Sequence, residues 1–205
     1  MSDSSPNIYG YTGSNWREVQ LDPTTYALVT IPVEQHKLHA GSSFTLNWVV
    51  ADLGAATTPT DMMTLSWKTP NTTTLIHMNF AVKCADGALL KFFEGKSGGG
   101  ASPTGVIQSY NRNRGNSTAS TILDVAGANA SKVSYDATEF TGGVTLVDTV
   151  VDASGYATAF VEGVGRAENE FVLAANTLYQ ISLYETGNVP GRINMSWTEY
   201  ANKTA

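Results

Sequence analysis

The chain has 205 residues, 42% of them hydrophobic and only 15% charged, with a formal net charge of -6. That length and apolar content fit one large domain with its own core and argue against disorder. The charge shortfall against a usual level of about 25% argues against long amphipathic helices, and the acidic balance against contact with a nucleic-acid backbone or an anionic membrane.

Residues 1 to 24 are polar and punctuated by Pro6, Gly10, Gly13 and Pro23, which reads as an N-terminal arm. Its large aromatics, Tyr9, Tyr11 and Trp16, suit docking on the arm's own domain or on a neighbour. Met1-Ser2-Asp3-Ser4-Ser5-Pro6 has neither the basic nor the apolar region of a signal peptide. No stretch reaches the roughly 20 apolar residues of a membrane-spanning helix. The expectation is synthesis in a cytosol without standard secretion.

Residues 25 to 205 read as strands separated by turn clusters. Strands are expected at Thr25 to Ile31, Ser43 to Val50 and Met63 to Trp67. In Ser43 to Val50, the residues Phe44, Leu46 and Trp48 share one face. Thr72 to Cys84 alternates, so Ile76, Met78, Phe80, Val82 and Cys84 face the core. Cys84, the one cysteine, excludes an internal disulfide and a four-cysteine zinc site, and reads as a buried inert thiol. Ala85-Asp86-Gly87 is expected to close a hairpin with Leu89 to Glu94.

Residues 95 to 120 read as one long polar loop, of the kind that carries function or forms an interface. A weak helical stripe spans Thr121 to Ala130. Further strands are expected at Val144 to Val151, Tyr156 to Val161, Phe171 to Leu173, Leu178 to Tyr184 and Ile193 to Tyr200. The pattern predicts an all-β chain, an antiparallel β-sandwich of jelly-roll type behind an extended N-terminal arm.

Catalytic patterns fail on context. Gly95-Lys96-Ser97-Gly98-Gly99 matches a nucleophile elbow only superficially. Gly100-Ala101-Ser102-Pro103 starts no helix after it, and His36, His39 and His77 all precede Ser97. A phosphate-binding loop needs a glycine where Leu90 stands. A flexible loop is the reading preferred for this stretch.

Glu34, His36 and His39 fall short of a zinc set, and hydrogen-bonding histidines at a junction or interface are preferred. The Asn-x-Ser/Thr matches at Asn71, Asn116, Asn129, Asn194 and Asn202 reflect a chain rich in Asn, Ser and Thr. No enzyme, cofactor or metal is expected. Tyr110-Asn111-Arg112-Asn113-Arg114 is the most distinctive cluster, two arginine forks suited to ordering a loop or a protein contact.

Several pieces, in order, resemble a family of virion structural proteins of tailed bacteriophages. They are Thr25 to Ile31, Glu34 to Phe44, Trp67 to Thr73, His77-Met78, Glu94-Gly95 and Tyr110 to Arg114. Ser117-Thr118, Ser120-Thr121, Asn169 to Leu173, Asn176 to Tyr179 and Trp197 to Tyr200 follow. The family's His-His-Glu-x-His run is Gln35-His36-Lys37-Leu38-His39 here, and its terminal Trp-Tyr-Glu-His is Trp197-Thr198-Glu199-Tyr200. The missing histidines argue further against a metal or pH-switch role.

The resemblance implies a capsid decoration or cement protein, made in the host cytoplasm and carried on the virion surface. Its expected partners are the major capsid protein and copies of itself, a homotrimer first, with no nucleic acid and no membrane. Expected interface residues are Tyr9, Tyr11, Trp16, His36, His39, Tyr110, Asn111, Arg112, Asn113 and Arg114. Two alternatives stay open: a tail or neck adaptor, and a glycan-binding sandwich for host attachment.

Overall fold

The computed structural model describes residues 9–11, 16–18, 37–50, 61–84, 87–97, 104–136, 140–151, 170–185 and 190–201. The chain divides into two units, Met1–His36 and Lys37–Ala205. In the first, β1 (Tyr9–Tyr11) pairs antiparallel with β2 (Trp16–Glu18). The expected strands at Thr25 to Ile31 and Tyr156 to Val161, and His36, lie outside the described residues.

The second unit opens with helical residues 37–39. The turn is closed by Gly41 N–H donating to the Leu38 carbonyl and Ser42 N–H to that of Lys37. Gly41 sits at φ 72°, the left-handed end that this motif requires.

Eleven strands follow. They are β3 (Ser43–Val50), β4 (Asp61–Lys68), β5 (Thr74–Cys84), β6 (Ala88–Glu94), β7 (Gly105–Gln108) and β8 (Tyr110–Asn111). After them come β9 (Lys132–Asp136), β10 (Val144–Val151), β11 (Phe171–Leu173), β12 (Leu178–Glu185) and β13 (Gly191–Ala201). They form two antiparallel sheets, ordered β10-β6-β12-β4-β9-β7 and β11-β5-β13-β3-β8. Early and late strands pair in a nested series: β3 with β13, β4 with β12, β5 with β11, and β6 with β10.

The sheets pack through residues of one parity. Phe44 and Leu46 of β3 are buried, as are Ile76, Met78, Phe80, Val82 and Cys84 of β5. Trp48 packs against the same core from a partly buried position. Opposite them stand Met63, Leu65 and Trp67 of β4, Leu90 and Phe92 of β6, and Tyr179, Ile181 and Leu183 of β12. Trp67 stacks on Phe92 and on Tyr179, with ring centroids 6.1 and 5.9 Å apart. Phe171 stacks on Phe80 and meets Phe92 edge-on. Fully burying one such side chain contributes about 1.5–3 kcal/mol, so this seam dominates the cohesion of the sandwich.

Three expectations are corrected. β5 and β6 do not form a hairpin, because β5 belongs to the five-stranded sheet and β6 to the six-stranded one. Between Cys84 and Ala88 the chain therefore passes from one sheet to the other. Residues 95 to 120 are not all loop, since β7 and β8 fall within them, and β9 follows. The stretch from Thr121 to Ala130 is not helical. Leu123 bridges Lys68 and Ala130, and the buried Asp124 carboxylate accepts from Asn129 Nδ2 and the N–H groups of Ala128 and Asn129.

Thr64, Ser66, Gln180 and Ser182 have the parity of the sheet's other face and are nevertheless buried. Thr64 and Ser182 pair through their hydroxyls. No described residue hydrogen-bonds the Gln180 amide or the Ser66 hydroxyl.

Candidate functional site: two unlike edges of the sandwich

β7 and β8 end the two sheets on one side and are joined by the single residue Ser109. β10 and β11 end them on the other. The two edges differ sharply in chemistry.

At the β7–β8 edge, three asparagines build consecutive turns. Asn111 Oδ1 accepts from Asn113 N–H, Asn113 Oδ1 from Gly115 N–H, and Asn116 Oδ1 from Thr118 N–H. Asparagine side chains favour this mimicry of a backbone turn, which explains why the stretch is rich in them. The remaining donors tie the loop down. Asn111 Nδ2 donates to the carbonyls of Gly41 and Thr118, and Asn113 Nδ2 to that of His39. Arg112 N–H donates to the Ser43 carbonyl at 2.8 Å.

Deeper in, Ser131 zips the edge together. Its carbonyl accepts from Ser109 N–H, Ser109 Oγ and Gln108 Nε2, and its own Oγ accepts from Ser120 N–H. Ser131 is held at φ 63°, a left-handed conformation that costs a non-glycine residue roughly 1–2 kcal/mol. The loop's far end hangs on Glu199, a buried carboxylate that accepts from Ser120 Oγ, Thr121 N–H and Trp197 Nε1.

The expected interface cluster is thus split by the fold. Asn111 is buried and structural, and Asn113 is half-buried and structural. Tyr110, Arg112 and Arg114 face solvent, as does His39. Arg114 lies over the Tyr110 ring, 5.4 Å from its centroid, and no described carboxylate forms an ion pair with either arginine. A groove of about 340 Å³ opens here, bordered by Gln108, Tyr110, Arg114, Ser117 and Thr118. Tyr9 and Tyr11 lie on β1 and Trp16 on β2, in the unit Met1–His36.

Lys96, expected in a flexible loop, is buried. Its ammonium donates to the Phe140 carbonyl at 2.7 Å and sits over the Phe93 ring. Ser97 exchanges hydrogen bonds with Thr141, so the described start of that stretch is paired rather than loose. His77 Nδ1 meets Glu170 Oε2 at 3.0 Å, under the Tyr200 ring. Among the described residues no three His, Cys, Asp or Glu side chains gather as metal ligands.

The opposite edge was missed as a site. β10 has the parity and composition of a strand, but its side chains are mostly exposed. Val144 is 63% exposed and Val150 66%, with Leu146 also exposed beside them. On β11, the edge of the other sheet, Val172 is 56% exposed. No described strand pairs with the outer side of β10. No sequence signal marked it, because Val144 and Val150 read as ordinary strand residues and their exposure depends on β10 ending its sheet. No family model matches the chain, no curated protein matches its sequence, and no solved structure matches its fold.

Proposed function

We propose that the chain is a structural virion protein that decorates the outside of a phage head, with the β10–β11 edge as its contact with the major capsid protein. One observation carries this reading: an eight-residue edge strand with no described strand on its outer side and with exposed Val144, Leu146 and Val150. Soluble proteins ordinarily blunt such edges with charge, proline or a covering element, because an open edge recruits other chains. Here the one acidic residue on the strand, Asp148, lies 3.8 Å from Lys91 within its own sheet. An edge left apolar in a chain otherwise clothed in Thr, Ser and Asn suits a partner that is always present.

The nested strand pairs, β3 with β13 inward to β6 with β10, support reading the sandwich as a jelly roll, an architecture used by viral capsid and lectin domains. Binding the assembled lattice but not free subunits stabilises the lattice by mass action. A homotrimer on a symmetry axis is the assembly this reading favours. The test is to add the protein to heads that lack it. Saturable occupancy at lattice sites, with greater resistance to heat, is expected; absence of head binding overturns the reading.

A further inference from the structure

We propose that the groove at the β7–β8 edge is a binding site for an acidic saccharide, with Tyr110 as the stacking platform and Arg114 as the carboxylate receptor. The site is on the opposite edge from the proposed lattice contact and does not depend on that reading.

Three observations carry it. First, Tyr110 is 53% exposed, and among the described residues of the unit Lys37–Ala205 it is the one exposed Phe, Tyr or Trp ring. A solvent-facing phenol offers an apolar face with a polar tip, which matches the C–H face and hydroxyl rim of a pyranose. Second, among the described residues Arg114 is the only charged one bordering the groove, and no described carboxylate lines it. A guanidinium poised over the ring with no described acid to satisfy it selects an anionic group, and its fork fits a carboxylate bidentately.

Third, the walls are fixed before any ligand arrives. Ser109, Asn111 and Ser131 are buried, and their side chains bond within the protein. Gln108 is pinned by two hydrogen bonds from Nε2 to the Ser109 and Ser131 carbonyls, which leaves Oε1 without a described donor. The exposed hydroxyls of Ser117 and Thr118 complete a rim of small polar groups. Preorganised walls reduce the ordering cost that otherwise consumes the weak binding energy of a sugar. The volume of about 340 Å³ accommodates one or two sugar rings rather than a folded partner.

The experiment is an amide and arginine side-chain NMR titration of the full chain with tri-galacturonate. Galactotriose and tri-glutamate serve as the neutral and the peptide comparators. Saturable shifts confined to residues 108–118 with tri-galacturonate, weaker with both comparators, are expected. Arg114→Gln should weaken binding about tenfold or more, from loss of a charge-assisted pair. Tyr110→Ala should abolish it; Tyr110→Leu, which keeps bulk without the ring, gives the same answer should the alanine variant unfold. No shifts at millimolar ligand, an equal response to the neutral sugar, a stronger response to tri-glutamate, or undiminished binding by Arg114→Gln each overturns the proposal.

Discussion

Glu199 Oε1 accepts the Ser120 hydroxyl at 2.6 Å, although 79 positions separate the two residues. The same hydroxyl accepts from Trp197 Nε1 and Ile122 N–H, so a strand of the five-stranded sheet and the end of the long polar loop share one network. Each partner of the Glu199 carboxylate is a donor, and the group is buried. Truncation would leave those donors without acceptors.

Glu199→Ala is therefore expected to cost about 3 kcal/mol, in the range for losing several hydrogen bonds to a buried charged group. Glu199→Gln should cost less, since one oxygen survives, but its amide N–H groups would oppose the Thr121 N–H. Chemical denaturation reads the ordering of the three proteins. Hydrogen exchange at Thr121 and Ile122 should rise first in both variants. Unchanged stability in Glu199→Ala would show that the loop is anchored elsewhere.

Asp124 gives a pH signature. Burial pushes its carboxyl pKa up, but hydrogen bonds from the Asn129 side chain and from the Ala128, Asn129 and Gly127 backbone outweigh it. The net pKa lies below the ordinary 3.8. A depressed folded-state pKa contributes stability that is complete above the unfolded value and is lost as pH falls through the folded one. Wild type should thus exceed Asp124→Asn in stability at neutral pH, and the gap should narrow as pH drops below about 4. A gap independent of pH would show that the loss comes from geometry and not from charge.

Tyr179 tests the core. Its hydroxyl donates to Glu94 Oε2 at 2.8 Å and accepts from Ala174 N–H at 2.7 Å, while the ring is fully buried. Burial, followed by the hydrogen bond to Glu94, drives the phenol pKa far above its usual value, so the group stays neutral. Tyr179→Phe should keep the stack on Trp67 and Phe92 yet cost about 1–3 kcal/mol through the two stranded partners. Urea unfolding monitored by tryptophan fluorescence measures this. A neutral result would imply that water replaces the hydroxyl.

Strand positions were legible where β-branched and apolar residues run between turn clusters. Ser43–Val50 and Val144–Val151 agree at both ends, and the inward set from Ile76 to Cys84 is buried throughout. What alternation does not carry is which sheet a strand joins. The short turn after Cys84 looked like a hairpin because corner and hairpin use the same residues. β7 and β8 were missed because they sit in the Gly- and Asn-rich stretch that reads as loop, and β9 because Lys132–Asp136 mixes charged and apolar residues without a clear face.

The arginine cluster was legible as chemistry but not as geometry. Its asparagines proved to be scaffold, since a side chain that closes a turn and one that meets a ligand share one composition. Two features had no sequence signal. Thr64, Ser66, Gln180 and Ser182 carry polar side chains and are buried, and the exposure of Val150 depends on β10 ending its sheet.

The proposed contact with a phage head is the apolar β10 edge. Val144→Lys together with Val150→Lys places charge at both ends of an exposed strand, where lysine is compatible with an edge and with folding. The decisive measurement is the occupancy curve of this double variant on heads lacking the protein, against wild type of equal thermal stability. Loss of saturable occupancy by a folded variant is expected. Undiminished occupancy would contradict the claim and move the contact to another surface.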